Sequence, residues 1–306
     1  APPTVALKPP KPLVIGYTAS QTSAQQVSSQ KQIEGLQLWL DDVKKAGGIK
    51  LKDGTVYMPE VKFYDDESKA DRVTTLYTKL INEDKADFLL SPYSSGLARN
   101  AISIAEQNGK VMITAGAAED LPMDGGTKMT FQLYTPGSQY YLGVTDLMAK
   151  LDPSIKKIAF VYENEAFTLS VMNSFIPYAK SKGYEAVVDE KYDSSTTDFS
   201  AFINKLSASN PDAIIGGGHN TDSTSFGKQL FEKKVTAKVI ALLVAPPEPT
   251  FASLGDAALY VVGPTQWEPV MTFDADTAKK ANLPYYGPNS KDFTAAYAAK
   301  YKADPS

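Results

Sequence analysis

The 306-residue sequence contains no cysteine and a single histidine, His219. Without cysteine, disulfides, thiolate zinc sites and cysteine nucleophiles are all excluded. A hydrolase triad would have to use His219, yet the G-x-S-x-G nucleophile elbow is missing, because Tyr93-Ser94-Ser95-Gly96 lacks the leading glycine. No Lys/Arg-rich run occurs, and 31 basic against 35 acidic residues give a formal charge of −4. The clustered positive charge that neutralises phosphates is therefore absent, which excludes nucleic acid as a partner. No apolar stretch approaches the roughly 20 residues of a membrane-spanning helix. Gly216-Gly217-Gly218 completes neither the dinucleotide nor the P-loop pattern, and reads as a tight turn or a close approach of backbone to a ligand. Asp65-Asp66-Glu67 lacks calcium-loop spacing and has no imidazole nearby in sequence, so it reads as a charged helix entrance. Neither a catalytic residue nor a metal or cofactor is expected.

What is present is ordinary globular composition, 43% hydrophobic and 22% charged, in a chain long enough for two α/β domains. The first twelve residues, with Pro2-Pro3 and Pro9-Pro10-Lys11-Pro12, have neither initiator Met nor an apolar signal region. They read as a stiff leader of a processed or trimmed chain, suited to tethering a folded body. Beyond them, short β-branched runs alternate with helical periods, the pattern of parallel sheets with helices on their faces. A strand at Leu13-Val14-Ile15-Gly16-Tyr17 precedes a helix carrying Val27, Ile33, Leu36, Leu40 and Val43, stopped by Gly47-Gly48. Asp53-Gly54 turns into a strand over 56–64, and Ser68 is placed to cap the next helix. A strand at 88–90, a helix over 95–107 and a fourth strand at 111–113 complete a first lobe, which extends to 130–133. The pattern then restarts with helices over 137–151, 167–182, 198–209 and 223–233, and strands over 158–162, 186–192, 213–215 and 237–243.

Two Rossmann-like lobes imply a cleft between them, with ligands beyond the carboxyl ends of the strands. The loops over 18–26, 91–95, 114–120, 163–167, 216–221 and 244–251 are the places to look. Several of these segments, in order and spacing, resemble the type I periplasmic binding proteins, specifically the branched-chain amino-acid-binding family of ABC importer receptors. The resemblance covers nearly the whole chain. It rests on Gly47-Gly48-Ile49, Asp65-Asp66, Ser91-Pro92-Tyr93-Ser94-Ser95, Ile113-Thr114-Ala115-Gly116-Ala117, Tyr192 with Thr197-Asp198-Phe199, and Asn210-Pro211-Asp212-Ala213-Ile214. It implies an N-terminal lobe of 13–134 with 265–306 and a C-terminal lobe of 135–264, joined by crossover strands. The last crossover is expected to be incomplete at Asp304-Pro305-Ser306.

The resemblance also implies a site. A ligand carboxylate would be held by Ser94 and Ser95 and by the backbone amides of Ala115 and Ala117, an anion site without a buried cation. Both serines can equally cap the helix that follows. The second lobe would contribute an aromatic lid at Phe167, a contact at His219 and an ammonium partner at Glu248. Phe167 can instead be a core residue, and Glu248 a solvated carboxylate of the Pro246-Pro247-Glu248-Pro249 run. Two departures bear on the ligand: Ala118 stands where amino-acid receptors place a hydroxyl, and the first-loop aromatic falls on Ser28. Both weaken the case for an α-amino acid and favour another organic acid, one whose ring Trp267 would suit, although a tryptophan after a strand also serves as packing. The function so implied is that of a monomeric, extracytoplasmic solute-binding protein. It binds a small organic acid or amino acid by hinge closure and delivers it to ABC permease subunits. The rival is a ligand-sensing regulator or receptor ectodomain of the same fold, for which the chain shows no signalling domain.

Overall fold

The protein is described by a computed structural model covering residues 6–120, 126–272 and 274–305. Eleven strands and ten α-helices among the described residues form two separate sheets.

The first half runs β1 (Lys11–Ala19), α1 (Gln26–Lys45), β2 (Ile49–Lys50), β3 (Val56–Asp65), α2 (Ala70–Asn82), β4 (Phe88–Leu90), α3 (Ser95–Gln107), β5 (Met112–Thr114) and β6 (Thr130–Gln132). Its strand order is β2-β3-β1-β4-β5-β6, parallel except for the short antiparallel β2. The second half contains α4 (Leu142–Leu151), β7 (Lys157–Glu163), α5 (Ala166–Ser181), β8 (Glu185–Tyr192), α6 (Ser200–Ser209), β9 (Ala213–Gly217), α7 (Asn220–Glu232), β10 (Val239–Leu242), α8 (Pro249–Ala252) and β11 (Val261–Val262). These five strands pair in parallel in the order β11-β10-β9-β7-β8. The near-continuous apolar run of β7 follows from burial on both faces. Ile158 and Phe160 pack with Val171 and Phe175 on one side, while Ala159 and Val161 pack with Phe199 and Phe226 on the other.

After β11 the chain forms α9 (Ala275–Lys280) and α10 (Ser290–Tyr301), and α10 clasps α1. The Tyr297 hydroxyl donates to the Glu34 carboxylate and accepts from Lys31 Nζ at 3.3 Å, and Tyr301 donates to the Glu34 carbonyl at 2.9 Å.

Most expected elements are present, and α3 has the expected bounds. Two local expectations fail and a third holds in part, for identifiable reasons. Ser68 does not cap α2, which starts behind Lys69 without a side-chain cap. Glu67 and Ser68 are both left-handed, and the turn aims the Ser68 hydroxyl at the β1–α1 loop, where it accepts from Gln25 N and donates to the Thr22 carbonyl. The helix expected over 137–151 is split into a 3-10 turn (Gly137–Gln139) and α4. At the break, Tyr141 turns inward and its hydroxyl lies 3.1 and 3.2 Å from the carbonyls of Gly216 and Ala241, bracing two neighbouring strands. At 216–218 the tight-turn reading holds for Gly217, whose φ is 82°, and protein packing accounts for its two neighbours. A Cβ on Gly216 would strike the Val161 carbonyl, and one on Gly218 would lie 2.4 Å from carboxylate oxygens of both Glu163 and Asp222.

Asp66 organises the carboxyl edge of the first sheet. It is fully buried and accepts from Thr18 Oγ1 (2.7 Å), Ser20 Oγ (2.6 Å) and Ser68 N (2.9 Å), joining the ends of β1 and β3 to the turn before α2. Its removal strands buried donors, each costing roughly 1–3 kcal/mol. Asp66→Ala is expected to lower unfolding free energy in urea by roughly 3 kcal/mol or more. A loss below about 0.5 kcal/mol, the range of neutral surface changes, would contradict this role.

Candidate functional site

Because the strands of each sheet run parallel, their carboxyl ends share one edge, and the loops leaving the two edges enclose a cavity of about 270 Å³. The first half contributes Ser28, Lys31 and Gln32 of α1, Tyr93, Ser94 and Ser95 before and at the start of α3, and Ala115, Gly116 and Ala118 after β5. The second half contributes Phe167, His219, Val244, Pro247 and Glu248. The connecting segments add Tyr134, Tyr140 and 264–267.

Eight of the nine expected site residues therefore meet on one cavity: Ser94, Ser95, Ala115, Ala118, Phe167, His219, Glu248 and Trp267. Ala117 does not line it. It is 4% exposed and packs into the core of the first sheet.

Ser94 is the N-cap of α3, its hydroxyl accepting from Leu97 N at 3.3 Å, and its backbone is held left-handed at φ 77°. The amide of Ser94 donates to the Gly116 carbonyl at 3.1 Å. Such strain in a non-glycine residue persists only where surroundings over-determine it, as they do here. Ser95 Oγ accepts from the amides of Ala118 (3.2 Å) and Glu119 (3.1 Å), leaving the hydroxyl proton to donate. Ser94 thus both caps α3 and lines the cavity, whereas Ser95, the first helical residue, lines the cavity and caps nothing.

Phe167 is a core residue that also reaches the cavity. It is 6% exposed within the second core, yet its ring faces the cavity, edge-on to Tyr140 at 5.4 Å and tilted to His219 at 5.7 Å. Trp267 lines the cavity while its ring stands edge-to-face on Phe293 of α10 at 5.4 Å.

His219 is buried at the end of β9, with its ring edge-on to Tyr93 at 6.0 Å. Its Nδ1 lies 2.7 Å from Glu163 Oε2, at the end of the neighbouring strand β7. Burial alone would lower the His219 pKa, but the hydrogen bond and charge of Glu163, with Glu165 and Asp222 adding, outweigh it and raise it to about 9. Burial works against ionisation of Glu163 too, and the His219 contact overcomes it, holding the carboxyl below its ordinary range. Asp222, behind the pair, is pushed up to about 6 by burial and by the Glu163 charge; the Tyr192 hydroxyl hydrogen-bonds to it. The raised pKa favours the protonated imidazole on the cavity wall. Glu163, Glu165 and His219 could each direct one donor atom to a metal, all within 4.8 Å of one another, but Glu163 and the imidazole already satisfy each other.

Glu163, Tyr134 and Tyr140 were not singled out from sequence. The Glu163–His219 pair is readable only once β7 and β9 are known to be neighbours. The two tyrosines lie in a connection with no motif.

The sequence model describing the periplasmic binding protein family matches residues 12–306, and the chain belongs to that family. It is 26% identical over 283 residues to the Leu/Ile/Val-binding protein homolog 8 of Brucella abortus, spanning 90% of this chain and 67% of that protein. Among solved structures it resembles the branched-chain amino acid transporter substrate-binding protein LivJ of Streptococcus pneumoniae, in complex with isoleucine. The TM-score is 0.80 at 22% identity, over 96% of this chain and 79% of that one. It also resembles an ABC transporter solute-binding protein of Rhodopseudomonas palustris, in complex with 3,4-dihydroxybenzoic acid. Here the TM-score is 0.76 at 22% identity, over 96% and 75% of the two chains. The fold is that of the type I periplasmic binding proteins, and these relatives are binding proteins rather than enzymes.

The buried pair predicts a pH profile. Since the folded pKa of His219 lies above the ordinary 6.5, its stabilising contribution is complete below that value and is lost as pH rises through about 9. Glu163, held low, contributes above the ordinary carboxylate range and loses its contribution on acidification. The melting-temperature advantage of the wild type over His219→Gln should be greatest between roughly pH 5 and 6.5 and should shrink by about pH 9.5. A difference that is flat across this range would contradict a charged pair.

Proposed function

We propose that this member of the periplasmic binding protein family is the extracytoplasmic solute receptor of an ABC importer, closing on a small carboxylate with an apolar or aromatic body. The observation that carries the reading is the composition of the cavity wall. Hydroxyl donors at the start of α3 and an imidazolium at His219 face a ring of aromatic side chains: Tyr93, Tyr134, Tyr140, Phe167 and Trp267. Charge-assisted hydrogen bonds from Ser95 and His219 suit a carboxylate. The flat, polarisable walls suit a ring or a branched apolar group.

In this reading the two halves rotate about the connections between the sheets, solute bridges them, and the closed form is what a membrane permease recognises. The solute shifts the equilibrium only by its preference for the closed state. No helix among the described residues is long and apolar enough to cross a membrane, which suits a receptor acting beside one. A periplasmic or extracellular location, a monomeric state and ABC permease subunits as partners belong to the same proposal.

A second reading, an amino acid whose ammonium meets Glu248, is favoured by the place of that carboxylate on the cavity wall. Against it stand Ala118, which offers no hydroxyl, and the presence of Lys31, a second cationic residue, on the same wall. A buried ammonium lacking a partner costs roughly 1–3 kcal/mol, enough to reverse a preference between similar ligands.

Calorimetric titration with benzoate, with leucine and with the 2-oxo acid analogue of leucine separates the two readings. The carboxylates are expected to bind at least about tenfold more tightly than leucine, a difference of about 1.4 kcal/mol. Tight leucine binding that collapses in Glu248→Gln would return the protein to the amino-acid reading. Ser95→Ala should weaken the bound carboxylate by roughly 1.5–3 kcal/mol. The radius of gyration in solution scattering should fall on saturation, and an unchanged radius with a solute bound would count against hinge closure.

A further inference from the structure

Gly96, the second residue of α3, has no backbone reason to be glycine. It is not among the residues of positive φ, and alanine is the better helix former at such a position. The reason lies across the cleft. A Cβ on Gly96 would lie 2.3 Å from Oε1 of Glu165, the residue that caps α5 in the second half.

Glu165 is pinned in that place. Its Oε2 accepts from Phe167 N at 2.8 Å, and its Oε1 is buried with no hydrogen-bond partner. The compensation is electrostatic, since the first turn of α3 presents the positive end of the helix dipole. The Arg99 guanidinium, three residues along α3, also feels the Glu165 charge. Beside this contact a crevice of about 400 Å³ separates Ser94, Gly96 and Leu97 on one wall from Glu163, Glu165 and Asp222 on the other. The contact is therefore one of the points where two otherwise separate halves meet.

We infer that Glu165 and Gly96 form a closure seat: a carboxylate of the second half that fits onto α3 only because residue 96 lacks a side chain, and only when the cleft is shut. Both are positioning residues, setting affinity through the closed geometry. The inference rests on the hinge-closure reading. It also accounts for a costly buried oxygen and a glycine in a helix with one contact.

The test has a solute-free arm and a solute arm. The chain has no cysteine, so Gly96→Cys with Glu165→Cys introduces the only two thiols. A sulfur at 165 takes about the place of Glu165 Cγ, 4.0 Å from the Cβ position at 96. Oxidation without solute is expected to form an intramolecular cross-link and lower the radius of gyration, with reductant restoring it. No cross-link, or a cross-link without compaction, overturns the seat.

In the solute arm, Gly96→Ala should weaken binding of whichever of benzoate and leucine binds the wild type by fivefold or more, while leaving the solute-free melting temperature equal or higher. Adding Glu165→Thr, which keeps a capping hydroxyl for α5, should restore affinity to within twofold. Failure of the second change to rescue the first overturns the seat, because a merely destabilised helix would not be mended from the other half. If neither solute binds the wild type, the ligand reading fails, and the cross-link arm still decides the seat.

Discussion

Parallel strands end side by side, and the loops that leave them must satisfy their polar groups without the ladder that served the strands. Much of the architecture around the cavity answers that constraint. In the first sheet Asp66 gathers two hydroxyls and an amide, and Ser95 gathers two amides from the neighbouring loop. In the second, Tyr141 reaches the carbonyls of two strands, and Glu163 holds His219. Each of these groups is buried, so each is costly to leave unpaired, and together they fix the loops from which the cavity wall is built.

The same economy explains the character of the cavity. Its polar groups are few and already held from behind: Ser94 by its cap, Ser95 by two amides, His219 by Glu163. Such groups meet a ligand with little loss of side-chain freedom, so preorganisation rather than area should dominate affinity. The aromatic walls are braced in the same way, Phe167 against Tyr140 and Trp267 against Phe293.

The fold was largely legible from periodicity because β7, β9 and α3 are strongly patterned. Helix α3 could be read residue for residue, since Ser94 caps it and its apolar positions recur at helical spacing. The break before α4 was not legible, because Tyr141 leaves the helical path for carbonyls 75 and 100 residues away in sequence. At the site, eight of the nine expected residues meet on one cavity, whereas Ala117 turns into the core of the first sheet where the chain bends after β5. The tyrosines at 134 and 140 carry no local signal, and Glu163 acquires its role only from strand order. Sequence patterns report what is near along the chain; these residues matter for what is near in space.

The clasp of α10 on α1 links the cavity to a distant surface. One side of α1 supplies Ser28, Lys31 and Gln32 to the cavity wall, and α10 grips the same helix through Glu34. Lys31 belongs to both, since it lines the cavity and donates to the Tyr297 hydroxyl. Under the proposed function, a solute that engaged Lys31 would draw on a side chain that α10 also uses. Thermodynamic reciprocity would then couple the two: loosening α10 would change the affinity for such a solute, and the solute would change the hold on α10 by the same factor.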